Sequence, residues 1–230
     1  RANLMYGMLR AEDKNTDGVP PGPNGPTDSW YRARRNLDFE THMLEFQAMA
    51  EMNLKKYIHD EASGSKDRWA PYVGGGLGFF WFNSYSPTFG RSTKLRTLGT
   101  EGQFITNSNS GKVYDAKPYK NFQFDLIAMV GVKYNVTEKF SIALEGWYHQ
   151  TFTDYLDDVS TNYIDANLYS NYFTGLKLTN ALLLNDRQYE LTPSHITNTG
   201  DQRGNSANND AYFSFNLNLG LVIGREKVRR

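Results

Sequence analysis

Phe213-Ser214-Phe215-Asn216-Leu217-Asn218-Leu219-Gly220-Leu221-Val222-Ile223 alternates large apolar residues with small or polar ones. Successive side chains of a β-strand point to opposite faces, so Phe213, Phe215, Leu217, Leu219, Leu221 and Ile223 share one face, against Ser214, Asn216, Asn218 and Gly220. The same period of two recurs upstream. It sets Ala2, Leu4, Tyr6 and Met8 on one face, and Phe140, Ile142, Leu144 and Tyr148 against Ser141, Glu145, His149 and Thr151. Between Phe122 and Asn135, Phe122, Phe124, Leu126, Ala128, Val130, Val132 and Tyr134 alternate with Gln123, Asp125, Gly131, Lys133 and Asn135. Between Leu44 and Leu54 the apolar set is Leu44, Phe46, Ala48, Ala50, Met52 and Leu54, with Met49 the exception. Upstream of it Leu37, Phe39 and Met43 fall on odd numbers, and this phase slip predicts a β-bulge near Met43. The chargeless stretch from Trp69 to Gly90 is long enough for a transmembrane helix, but Pro71, Gly74, Gly75, Gly76 and Gly78 argue against one. Its Val73, Leu77, Phe79 and Trp81 recur on one face of a strand.

Alternation alone also suits a soluble sandwich, in which the apolar face is the core. Two features favour a membrane barrel. The segments run to the nine to eleven residues or so that a tilted strand needs to cross the hydrocarbon layer. Long connections, at about 11–36, 83–121 and 153–211, alternate with short ones, the tightest being Val136 to Lys139. Bacterial barrels pair long surface loops with short periplasmic turns in this way. Composition agrees, with 15 Tyr and 14 Phe in a chain whose mean hydropathy is only −0.62. The expectation is an all-β, antiparallel transmembrane β-barrel, a single domain over residues 1–230. Six strands are visible and about eight are expected in the full protein, since about eight is the smallest bacterial barrel. A signal peptide and two strands are therefore expected ahead of Arg1.

The 25 basic and 25 acidic residues cancel, which offers nucleic acid no global field. With no cysteine there is no disulfide, thiol nucleophile or cysteine-ligated zinc. His42, His59, His149 and His195 sit in no nucleophile-elbow or zinc motif. His149 shares a face with Glu145, and neighbouring strands can bring Glu45 or Glu51 near it. The alternative function is thus an outer-membrane enzyme acting on lipid or ester bonds, set against a lumen filled by paired polar side chains. Asp154, Asp157, Asp158 and Asp165 are oxygen-rich enough for calcium, but their spacing matches no EF-hand and favours Asx turns. The Pro, Gly and Asn clusters, such as Asn198 to Asn209, predict mobility unless a partner orders them. No catalytic residue, cofactor, metal or small-molecule substrate is expected. The basic Lys55, Lys56, Arg225, Lys227, Arg229 and Arg230 are the candidate partner-binding residues, on the short-turn side.

Three strings go beyond pattern: Arg35-Asn36-Leu37-Asp38-Phe39, Thr100-Glu101-Gly102-Gln103, and Thr153-Asp154-Tyr155-Leu156-Asp157-Asp158-Val159-Ser160-Thr161-Asn162-Tyr163. With them the chain resembles the PorG-like outer-membrane proteins of Bacteroidota over nearly its whole length. The resemblance implies an eight-stranded barrel in outer-membrane lipid, part of the type IX protein secretion machinery. Its implied partners are a periplasmic ring lipoprotein and a ring protein of the PorK and PorN kind. It brings no catalytic residues with it.

Overall fold

A computed structural model of the chain describes residues 1–20, 22–23, 25–54, 68–88, 90–105, 118–137, 139–191 and 197–223. The period-two segments form strands β1 (Ala2–Glu12), β2 (Asp38–Asn53), β3 (Trp69–Thr88), β5 (Phe122–Asn135), β6 (Phe140–Thr151) and β7 (Ala211–Leu221). They make one antiparallel sheet in the order β1-β2-β3-β5-β6-β7, and the short β4 (Arg91–Lys94) pairs only with the end of β3. The sheet is open and strongly curled. The curl brings strands distant in the order face to face: Arg1, at the start of β1, reaches Glu145 of β6, and Tyr212 of β7 reaches Glu45 of β2.

Each strand turns one face into the curl and one outward. On β7, Phe213, Phe215, Leu217, Leu219 and Leu221 are 68–84% exposed, whereas Tyr212 is buried. Register makes the outward set continuous across strands. Leu4, Phe46, Phe79 and Phe124 are successive partners across β1, β2, β3 and β5, and Val132, Leu144 and Leu217 continue a lower row through β5, β6 and β7. At the short-turn end Trp69 and Tyr134 pack with their rings tilted by 53° and centroids 4.7 Å apart. At the other end Tyr6, Trp81 and Phe122 lie in one row with Leu44.

The concave face is filled in layers. Met49, Tyr72, Ile127, Met129, Ala143 and Trp147 form an apolar cluster towards the short turns. Glu45, Gln47, Asp125 and His149 make a buried polar layer above it. Met43, Phe80, Phe82, Tyr119, Leu156 and Tyr212 form a second apolar cluster beneath the long loops. This layering corrects the expected bulge. β2 pairs without interruption on both sides from Glu40 to Ala48, and Thr41, Met43, Glu45, Gln47 and Met49 all face inward. Met43 and Met49 broke the sequence pattern because the concave face is apolar at its two ends and polar in the middle.

Two close approaches tighten the curl. Tyr72 lies over its β5 partner Gly131, where a Cβ would come within 2.6 Å of the ring, and its hydroxyl donates to Glu145. Gly78 leaves the space into which the carboxylates of Glu45 and Asp125 lean from either side. The tight connection after β5 is set by Thr137, whose Oγ1 accepts from the amides of Lys139 and Phe140.

The long connections are themselves folded. The first carries α1 (Asp28–Arg35), whose N-terminus is capped by the Thr27 hydroxyl accepting from Trp30 N at 3.3 Å. In the second, β3 runs on to Thr88 and turns back into β4, inside the stretch read as a loop from 83. The third carries α2 (Gly175–Asn185). Leu95, Leu98, Ile105, Ile164, Tyr169, Phe173, Ala181 and Leu184 give these loops a core of their own, so together they form a cap over one end of the curl.

Candidate functional site

Two buried constellations stand out. One holds the cap together and the other lies within the curl.

The cap is tied at Glu101, Asp158 and Arg203. Glu101 lies in a turn ending at Gly102, whose φ of 84° suits glycine. Its carboxylate accepts from the amides of Ser160 and Thr161 at 2.8 and 3.0 Å and from the Thr161 hydroxyl at 2.8 Å. Arg203 donates through Nη1 to Glu101 Oε1 at 3.0 Å and to the Asp158 carbonyl at 2.9 Å, and through Nε to the Asn185 carbonyl at 3.2 Å. Asp158, at φ 63°, accepts from the Tyr119 hydroxyl and from Thr100 Oγ1, each at 2.6 Å. The backbone of Arg203 extends the tie to the first loop: its carbonyl accepts from Arg35 Nη1 at 2.8 Å, while Arg35 also pairs with Asp13 at 2.6 Å.

Burial pushes the Asp158 carboxyl up to about 7 against the opposing pull of Arg203. It does the same to Asp154, with Asp210 and Asp157 adding repulsion. The Tyr119 hydroxyl is pushed upward by its own burial and by the charge of Asp158.

The three strings singled out in the sequence therefore meet in space. Thr100, Glu101 and Gln103 are buried against the segment containing Asp154, Tyr155, Asp157 and Asp158, and Arg35 joins them through Arg203. Gly102 supplies the turn, Gln103 Oε1 accepts from the Glu101 amide at 3.0 Å, and Tyr155 stacks on Tyr119 at 4.5 Å. Asp157 Oδ1 accepts from Val159 N and Asp165 Oδ1 from Asn167 N, both Asx turns. Sequence reasoning missed Arg203 at the centre of the tie. The one signal was a single arginine within the Asn- and Gly-rich run from Asn198 to Asn209. The candidate partner residues Lys55, Lys56, Arg225, Lys227, Arg229 and Arg230 lie outside the described residues.

Within the curl, His149 Nδ1 donates to Asp125 Oδ2 at 2.7 Å and lies 3.6 Å from Glu45 Oε1. The Tyr212 hydroxyl donates to Glu45 Oε2 at 2.8 Å, and its ring stacks on the imidazole, centroids 4.2 Å apart and planes within 8°. Of the two carboxylates expected near His149, Glu45 is there. Glu51 instead pairs with Arg1, as does Glu145, which also accepts from Trp147 Nε1 at 2.8 Å. Among the described residues no hydroxyl forms a hydrogen bond with His149, whose side chain is wholly buried.

No protein-family model matches this chain, and a search of curated proteins finds no match either.

Proposed function

We propose that the chain is a non-enzymatic outer-membrane β-barrel component, and that it anchors or organises a periplasmic ring of the PorK and PorN kind within type IX secretion machinery. The observation that carries the membrane part is the outward apolar surface. Burying a large apolar side chain is worth about 1.5 to 3 kcal/mol, so the five outward residues of β7 alone would forgo on the order of 10 kcal/mol in water. That rivals the whole stability of an ordinary domain, about 5 to 15 kcal/mol. Large contiguous apolar patches mark an interaction surface, and a belt that runs across all six strands, over an interior with a buried polar layer, suits lipid. Lipid tolerates no free strand edge. The reading therefore carries with it closure of the β1 and β7 edges by further strands, for about eight in all.

The assembly part rests on the resemblance and on the meeting of its three strings in one buried tie, which gives those residues a common structural task. β2 and β7 both run towards the short-turn end, and in the sequence Lys55 and Lys56 come after the first and Arg225, Lys227, Arg229 and Arg230 after the second. We take them as the dock for the ring, with the cap on the cell-surface side. The catalytic alternative draws no support from His149, which is enclosed and paired to carboxylates.

Purification in mild detergent from the native membrane tests the proposal. Ring lipoprotein and ring protein are expected to co-purify, and changing the four basic residues from Arg225 to Arg230 to Glu should reduce their recovery and make it more salt-sensitive. An intact barrel recovered repeatedly without any ring component would overturn the assembly reading.

A further inference from the structure

Glu45, Asp125 and His149 come from three different strands, β2, β5 and β6, and their side chains are wholly shielded from solvent. One ligand atom from each lies within 4.8 Å of the others. Glu45 Oε1 and Asp125 Oδ1 have no hydrogen-bond partner. Both reach towards the space above Gly78, where a Cβ would stand 2.4 Å from the first and 2.0 Å from the second. Two unpartnered carboxylate oxygens converging where neither side chain reaches solvent are costly, since each ion gives up its hydration. With both carboxylates ionised, a protonated His149 between them would still leave one net negative charge. Among the described residues no lysine or arginine pairs with either carboxylate, because Arg1 serves Glu51 and Glu145.

We propose that Glu45, Asp125 and His149 form a binding site for a single divalent transition-metal ion, Mn2+ or Zn2+, inside the curl. Two carboxylates and a neutral imidazole balance the charge of such an ion, and one nitrogen with several oxygens suits either metal. Ligands held about 2.1 Å from a metal in tetrahedral or octahedral order are about 3.0 to 3.4 Å apart. His149 Nδ1 lies 3.6 Å from the free Glu45 Oε1, near that range, and 2.7 Å from Asp125 Oδ2, in a hydrogen bond that the ion would replace. Tyr212 supplies the outer contacts, while His149 Nε2 has no hydrogen-bond partner among the described residues. Tyr212 donates to Glu45 Oε2 and stacks on the imidazole, fixing two ligands at once. The glycine at position 78 keeps open the space where the free oxygens converge. The ion would cross-link three strands from within and clamp the curl, a structural task that needs no open coordination position.

The test uses the full-length protein, stripped with a chelator in detergent and dialysed against Mn2+, Zn2+ or Co2+. One equivalent of metal per chain by elemental analysis is expected, with a Co2+ visible spectrum showing nitrogen and oxygen ligation. Asp125→Asn and Glu45→Gln should each lower the retained metal at least tenfold while the protein still shows barrel-like heat-modified gel mobility. Failure of the wild-type protein to hold any of the three ions above background would overturn the proposal, whatever the variants do. So would undiminished binding in a folded Asp125→Asn, Glu45→Gln double variant.

Discussion

Replacing Arg203 with Met keeps most of the side-chain volume and removes the one guanidinium at the centre of the cap. The side chain is 2% exposed and pairs with Glu101, whose carboxylate is fully buried. Breaking a buried pair by removing one partner costs about 3 to 5 kcal/mol, because the other charge stays desolvated. Glu101 would keep its three donors from Ser160 and Thr161, which places the cost near 3 kcal/mol, although the carbonyls of Asp158 and Asn185 also lose a donor. At about 1.4 kcal/mol per factor of ten, amide exchange around Thr100–Gln103 and Ser160–Tyr163 should quicken about 100-fold. The strands should be unaffected, because the tie lies wholly in the loops. Hydrogen exchange read by mass spectrometry separates the two regions. Combining Arg203→Met with Glu101→Gln should cost less than the two changes summed, by at least about 1 kcal/mol. Unchanged exchange in both cap segments, or strict additivity, would refute the assignment of Arg203 as the tie.

Three further outcomes follow from the same structure. The Asp158 and Asp154 carboxyls, held at about 7 by burial, bind protons more tightly in the folded cap than in the unfolded chain. Cap stability should therefore fall as pH rises from about 4 to 7, and exchange protection in the cap at pH 5 should exceed that at pH 8 after correction for intrinsic rates. Gly78→Ala places a methyl group within 2.4 Å of both Glu45 and Asp125 and should cost about 1 to 3 kcal/mol, lowering the temperature of the gel-mobility shift. Adding Asp125→Ala should recover part of that loss; a Gly78→Ala protein as stable as the wild type would show that the carboxylates do not converge there. Leu217→Arg, on the outward face, should destabilise the protein in bilayers by about 2 to 4 kcal/mol, whereas Asn216→Ser on the inner face should change little. Equal costs for the two would contradict the assignment of faces.

The sheet was legible because a strand that faces two different media must alternate. Asp125, Glu145 and His149 turn inward as the alternation required, and Leu126, Val130 and Leu144 turn outward. The phase slip at Met43 misled because the rule assumes one polar face, whereas the concave face becomes apolar where the cap sits on it. The cap itself was read only as loops. Its helices are only 8 and 11 residues long, and the buried side chains of α2 include Asn185, so no strong apolar period marks α2. The contact between Glu101 and Arg203 spans 102 residues, and a single sequence carries no signal of such a pairing. The three strings, far apart in the sequence, meet in the cap. What they could not show was that Glu101 and Asp158 turn inward, the first to Arg203 and the second to Tyr119 and Thr100, rather than to solvent.

The central claim is that the outer face of the curled sheet meets lipid. The chain has no native cysteine, so single cysteines at positions 213 to 221, each carrying a nitroxide label, would report one site at a time in reconstituted bilayers. The account predicts a period of two, with oxygen accessibility high at 213, 215, 217, 219 and 221 and low at the residues between. A flat profile, or labels at 215 and 217 more accessible to a water-soluble nickel complex than to oxygen, would contradict it.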